Sequence, residues 1–242
     1  EYVAFLFFGG FALATALHIQ GIDRFIANRM IGFAKGKLWL AVIMLFVATA
    51  LLSMWISNTA TAAIMLPLGL GILSNLDTKR DRNTFVFVLL GIAYSSNIGG
   101  FGTIVGSPPN AIAAAELDLD FFSWIKLGVP FMIVMLPSCI FLMYLVLKPK
   151  LNATFDIKKE NIVWGFHSIS AIIIFVITAI AWIFSTKISA YFGGIKDIDS
   201  IIAIAAVIAI GFTKTASWEQ IQKNTEWGVL MLFGGGLALS AI

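Results

Sequence analysis

Charge is what this sequence has least of. Asp, Glu, Lys and Arg make up 12% of its 242 residues, against about 25% in an average soluble domain. Apolar residues reach 60%, and several stretches run about 18 residues or more without a charge, so the chain reads as one that lives in a bilayer. A water-soluble enzyme, a nucleic-acid binder and a disordered tail are excluded on that ground. There is one cysteine, Cys139, inside an apolar run; no disulfide forms within the chain, and the thiol reads as a packing residue. The two histidines, His18 and His167, fall near the ends of apolar runs and read as interfacial. Between the loops the runs contain no Asp, Glu, Lys or Arg, which disfavours proton coupling through an intramembrane carboxylate and voltage sensing. No nucleophile–base pair, metal cluster or phosphate loop appears, so neither an enzyme nor an organic cofactor is expected. Glu1 opens directly into an apolar segment, without an initiator Met, a basic n-region or a small-residue cleavage site. The sequence is therefore expected to be an interior piece of something longer.

Uncharged apolar runs are what the sequence has in place of charge. They lie near 2–19, 38–74, 84–115, 121–147, 162–186, 200–213 and 227–242, with Trp39, Trp124, Trp164 and Trp227 at run ends, where an indole sits at the headgroup level. The net charge of +3 matters less than its distribution. Loops 20–37, 75–83, 148–160 and 214–226 hold 13 of the 16 basic residues. Connections 116–126 and 187–199 instead carry Glu116, Asp118, Asp120, Asp197 and Asp199 beside Lys126, Lys187 and Lys196. By the positive-inside rule the first group is cytoplasmic and the second external.

Two runs are too long or too broken for one helix. As a single helix, run 38–74 would extend about 55 Å at 1.5 Å per residue, against a hydrocarbon core about 30 Å thick. Both its flanks are basic, so it is expected to enter and return as a re-entrant helical hairpin, turning at Ser57-Asn58-Thr59. Run 84–115 is helix-like from Thr84 to Ser96 and then reads NIGGFGTIVGSPPN, with four glycines and two prolines in residues 97–110. That density breaks a helix. Such a break at membrane depth is tolerated only where protein buries it or a cavity lines it. A second half is expected to restart with Ser107 as N-cap and Pro108 at the first helical position, its positive N-terminal end aimed at the break.

The chain also resembles itself end to end. At an offset of 225, Glu1 matches Glu226, Phe8 matches Phe233, Gly9 and Gly10 match Gly234 and Gly235, and Ala16 matches Ala241. The first copy runs into a cytoplasmic loop and the second leaves one, with four crossings and a non-crossing hairpin between. Copies in opposite orientation mark an inverted-topology repeat, the usual architecture of secondary transporters. The expected fold class is thus an all-α polytopic membrane protein: an inverted-repeat secondary transporter with a re-entrant helical hairpin and a broken transmembrane helix.

The hairpin turn presents Ser53, Ser57, Asn58 and Thr59, with Ser53 and Ser57 spaced for one helix face. Carbonyl and hydroxyl oxygens suit a small hard cation such as sodium, whereas N–H groups, amide NH2 and hydroxyl protons suit a carboxylate. The competing reading, that these groups satisfy backbone or bond between helices, fits any one of them better than the whole set.

Ser53-Met54-Trp55-Ile56-Ser57-Asn58-Thr59-Ala60-Thr61 with Met65-Leu66-Pro67, and Ile98-Gly99-Gly100 through Gly106-Ser107-Pro108-Pro109-Asn110, resemble the Ser-Asn-Thr signature and broken-helix loop of the divalent anion:sodium symporters, the INDY-like di- and tricarboxylate transporters. The resemblance implies a homodimer whose protomers each pair a static scaffold with a transport domain moving elevator-fashion. It assigns 1–37 to a scaffold-type span with a cytoplasmic interfacial segment. Residues 38–147 become a transport-type region (hairpin 38–74, broken helix 84–115, span 121–147), 148–163 a cytoplasmic linker, and 164–242 scaffold-type spans, with 226–242 opening a second repeat. It implies sodium at Ser53, Ser57, Asn58 and the Gly106 carbonyl, and a substrate carboxylate at Asn58, Thr59 and Ser107. The implied activity is sodium-coupled transport of succinate-like C4-dicarboxylates across the inner (plasma) membrane, with lipid, sodium and a small dicarboxylate anion as partners and no nucleic acid. The alternatives are a sodium-independent exchanger or sulfate carrier on the same fold, and, from another class, an anion channel. The second Ser-Asn-Thr of the family lies beyond Ile242, so residues 1–242 alone are expected not to transport.

Overall fold

The computed structural model describes residues 2–155 and 164–231. Along the chain, α1 (Tyr2–Ile19), α2 (Ile22–Gly32), α3 (Leu38–Ser53), α4 (Asn58–Ile72), α5 (Arg82–Gly100) and α6 (Pro108–Glu116) are followed by α7 (Phe121–Leu147), α8 (Phe166–Ile183), α9 (Ser185–Tyr191), α10 (Ile198–Thr213) and α11 (Trp218–Asn224). Among the described residues the only strand-like pairing is one antiparallel bridge, Lys37 with Thr154. The all-α class expected from the sequence is what is found. The chain forms two compact units: a first of 1–22, 103–126 and 163–242, and a second of 23–102 and 127–162.

The second unit is built on the hairpin. Its arms, α3 and α4, have 16 and 15 residues, about 24 and 22 Å at 1.5 Å per residue. Each is shorter than a bilayer core of about 30 Å, as a re-entrant pair requires. Without charge to place outward, α3 buries Leu38, Val42, Leu45 and Phe46 completely, and α5 lies close against it through glycines. A Cβ at Gly91 would strike the Phe46 ring, and one at Gly99 would strike the Ala50 backbone. Phe46 meets Phe87 edge to face, ring centroids 5.6 Å apart. Helix α7 adds Met132 and Leu136 to a cluster with Ala50, Met54 and Ile98, and Cys139 packs on that cluster. This close approach of small residues is how helices associate where lipid removes the usual hydrophobic drive.

The first unit packs α1 on α10, with a Cβ at Gly9 barred by Ala203. Its α8 leaves Ile169, Ile173, Val176, Ile177 and Ile180 exposed, an apolar flank suited to lipid or another helix rather than water.

Within each unit, like-charged connections meet. In the second, Phe155 N–H donates to Gly36, Leu38 N–H donates to Ala153, and Lys150 N–H donates to the Thr84 hydroxyl at 2.9 Å. Those contacts bring the borders of loops 20–37, 75–83 and 148–160 together. In the first, Gln20 donates to the Thr215 carbonyl and Ser168 donates to Gln20. At the other end of α1, Leu6 lines a cavity with Asp118, Asp120, Asp197 and Asp199.

Several boundaries differ from expectation. The hairpin turns at 54–57, and Asn58 and Thr59 already belong to the first turn of α4. Ser57 is the N-cap of α4, so Ser53 and Ser57 do not share a face of one helix. Helix α5 continues past Ser96 to Gly100, because its glycines are held by packing against α3 and the tip rather than released. Helix α8 stops at Ile183, short of the end of run 162–186, and α9 covers the end of that run and the start of the connection expected at 187–199. In the segment expected to open a second repeat, backbone is helical over 227–231, and residues 232–242 lie outside the described residues.

Candidate functional site

The sequence places the site at the hairpin turn, and the structure shows how that turn is built. At Ser53 the helix ends, and Met54, Trp55 and Ile56 tighten the turn by donating N–H groups to Ala50 and Leu52. Ser57 then adopts φ −55°, ψ 146°, and its hydroxyl accepts from Ala60 N–H, 3.4 Å, as the cap of α4. Capping of this kind satisfies one N–H of the first helical turn and leaves its positive end in place.

The Asn58 side chain reaches back over the turn. Ser53, fully buried, donates from Oγ to Asn58 Oδ1 at 2.8 Å. Asn58 Nδ2 donates to Asn97 Oδ1 at 3.2 Å, and Asn97 Nδ2 donates to the Ala93 carbonyl at 2.9 Å. Asn58 and Ser57 are half-buried, and Thr59 and Asn97 exposed. The structure thus joins Ser53 to Asn58, with Ser57 and Thr59 flanking them in the chain. It also adds Asn97, which the sequence reading did not single out. A signal was there: Ser96-Asn97 repeats the Ser57-Asn58 dipeptide one helix away.

Gly106 and Ser107 lie in the first unit. Their loop is held from inside: Gly106 N–H donates to Thr103 Oγ1 at 3.1 Å, and Asn110 Nδ2 donates to the Thr103 carbonyl at 2.7 Å. Thr103 and Asn110 are both buried. Ser107 caps α6 in an extended conformation without a side-chain capping bond. Pro108 and Pro109 bring no N–H to the first turn, so this helix start is a weaker anion donor than the sequence reading expected. Thr103 and Asn110 are the residues missed here; the motif contains Asn110, but nothing in the spacing aims its amide backwards.

A third polar group closes the acidic end of the first unit, around a cavity of about 240 Å³. Asp120 accepts from Ser123 N–H at 2.7 Å and from the Thr186 hydroxyl. Partial burial works against its charge, but those hydrogen bonds, then Lys126, hold its carboxyl below the ordinary range. Asp199 accepts from Phe121 N–H at 3.1 Å, and its carbonyl accepts from the Trp182 indole. Burial pushes the Asp199 carboxyl above the ordinary range, with the Asp120 and Asp197 charges adding to the rise; the nearby Ser185 hydroxyl and Phe121 N–H oppose it. Ser185 Oγ and Asp199 Oδ1 are both buried without closing a hydrogen bond of ordinary geometry. Among the described residues, no three His, Cys, Asp or Glu converge as a metal site would require.

A helical hairpin, a helix that breaks after Gly100, and polar groups that are hydroxyls, amides and helix ends fit the architecture of membrane transporters. The family model described as citrate transporter, CitMHS, matches residues 2–242. The chain belongs to that citrate transporter family. It is 57% identical over 245 residues to an uncharacterised transporter of Haemophilus influenzae, covering 98% of this chain and 53% of the relative. It is 38% identical over 231 residues to an uncharacterised transporter of Methanocaldococcus jannaschii, covering 94% and 51%. The sodium-dependent dicarboxylate transporter SdcS of Staphylococcus aureus is 30% identical over 277 residues, covering 98% and 52%. The chain spans about half the length of the curated relatives it matches. These relatives are transporters and not enzymes.

Proposed function

We propose that this chain supplies half of the binding machinery of a sodium-coupled transporter of succinate-like C4-dicarboxylates. The observation that carries the reading is the hydrogen-bonded pair Ser53–Asn58 at the hairpin turn. It gathers hard oxygen atoms, which suit sodium, beside an amide and the positive end of α4, which suit a carboxylate. On this reading Ser53, Ser57, Asn58 and the Gly106 carbonyl hold sodium, and Asn58, Thr59 and Ser107 meet the substrate. The sodium-dependent relative in Staphylococcus aureus supports the coupling ion and the substrate class. An elevator-type movement of a transport region, 38–147, against scaffold regions 1–37 and 164–242, in a homodimer of the inner membrane, completes the proposal and rests on the family resemblance. The family's description favours a second reading in which the cargo is a tricarboxylate.

The test is uptake of labelled succinate by proteoliposomes containing the complete transporter, with and without an inward sodium gradient. Saturable, sodium-driven accumulation supports the proposal. Sodium-independent exchange, preference for citrate or sulfate, or conductance that does not saturate each replaces it with a named alternative.

A further inference from the structure

We infer that Asn97, with Gly100 one turn further along α5, is the positioning element that fixes which way round the Asn58 amide faces, and thereby the affinity of the hairpin turn for sodium. The inference rests on the proposed function and deepens it.

An asparagine amide has two chemically opposite ends of nearly equal size, an oxygen that accepts and an NH2 that donates. Only the oxygen serves a cation. Ser53 does not decide between them, because a hydroxyl both donates and accepts. Asn97 does. Its NH2 is bonded to the Ala93 carbonyl, a group that can only accept, so its own orientation is set by the backbone of α5. That leaves Asn97 Oδ1 to receive Asn58 Nδ2, which turns Asn58 Oδ1 to the Ser53 hydroxyl. These three bonds share one direction, Ser53 to Asn58 to Asn97 to Ala93, anchored at a carbonyl. Reversing Asn58 alone would set its oxygen against the Asn97 oxygen. Reversing both would set Asn97 Oδ1 against the Ala93 oxygen.

Gly100 makes the seat possible. A Cβ there would meet Asn58 Oδ1 in a clash and lie 3.1 Å from both Cγ and Nδ2, so the amide rests directly on the α5 backbone. Asn97 and Gly100 are three residues apart, on one face of the helix, and both touch the same side chain. Asn97 is itself exposed.

The experiment is sodium-dependent succinate uptake by the complete transporter in proteoliposomes, reading the half-saturating sodium concentration separately from the maximum rate per molecule. Asn97→Leu keeps the size and removes the acceptor. Loss of one orienting hydrogen bond is expected to raise the half-saturating sodium concentration about fivefold to tenfold, with the maximum rate at saturating sodium within about twofold. Asn97→Asp keeps an acceptor toward Asn58 but gives up the bond to the Ala93 carbonyl, and is expected to shift half-saturation less than Asn97→Leu does. Asn97→Ala carries the same test if the leucine variant does not accumulate. If the parent is driven by sodium and both Asn97→Leu and Asn97→Ala keep its half-saturation, the inference falls while the proposed function stands. Equal loss of maximum rate in the Leu and Asp variants, without a shift in half-saturation, also overturns it. Uptake by the parent that ignores sodium overturns the proposed function and the inference together.

Discussion

The two units each start a helix with Ser and Asn in sequence motifs of the same kind, and they use those residues in opposite ways. At its hairpin turn the second passes uncharged hydrogen bonds on in one direction, from buried Ser53 through Asn58 to Asn97. The first turns them inward, with Asn110 spent on its own loop, and keeps a carboxylate oxygen of Asp199 buried without a hydrogen bond. The same residue types, Ser and Asn at the start of a helix, face outward to a neighbouring helix in α4 and backward into a loop in α6. Sequence type does not separate a binding amide from a structural one. The direction in which its bonds run does.

The largest expected effect breaks the comparison at its binding end. Removing the amide with Asn58→Leu forfeits contacts to charged species, worth about 1.5–3 kcal/mol, and should cut sodium-driven uptake at low substrate by roughly tenfold to more than a hundredfold. Transport assays at matched protein levels check this, and uptake near the parent rate would count against the site. Asn110→Ala should act on stability instead. It leaves the Thr103 carbonyl without its 2.7 Å donor and should cost about 1–3 kcal/mol, seen as a lower melting temperature. The two N-cap serines sharpen the contrast. Ser57→Ala loses a capping bond and should cost about 0.5–1 kcal/mol, whereas Ser107, with no such bond, should change stability by less than about 0.5 kcal/mol. Thermal melts of both variants measure the difference, and any loss of uptake in Ser107→Ala then reports on substrate.

The smallest effect is a pH slope. A carboxyl raised in the folded protein, as Asp199 is, destabilises when charged, so its penalty shrinks as pH falls through its folded value toward the ordinary 3.8. Asp120 is lowered, so its stabilising contribution is lost only as pH falls below 3.8 toward its folded value. Asp199→Asn should therefore raise the melting temperature at pH 7 and flatten its change between neutral and mildly acidic pH. Asp120→Asn should lower the melting temperature at pH 7. Melting curves over that range, with shifts of the same sign in both variants, would defeat the assignment.

Much of this arrangement was legible in the sequence because length and charge are global constraints. A 37-residue apolar run between basic flanks has to double back, and residues 38–74 do. Glycine and proline around 97–110 predict a break, and one occurs between Gly100 and Pro108. What stayed hidden depends on partners distant in the chain. Gly99 and Gly100 are helical and have to be glycine because Ala50 and Asn58 occupy the space their side chains would need, and no local propensity carries that information. Asn97 entered the reading only as part of a helix-breaking string, since its role needs a carbonyl behind it and the hairpin tip in front. The backward turn of Asn110 and the insertion of α9 into an acidic connection likewise follow from packing rather than periodicity.

The small bridge between Lys37 and Thr154 has a topological consequence. It joins the two ends of the stretch that runs from Leu38 to Ala153, so the chain leaves and regains the same point after laying down the hairpin, the broken helix and α7. A segment whose ends coincide can be re-cut: residues 38–153 taken alone, joined from Ala153 to Leu38 and opened in the exposed loop near Lys79, would keep the order of their helices in space while rearranging it in sequence. Such a permuted chain asks whether the hairpin has to be synthesised before the helix it rests on.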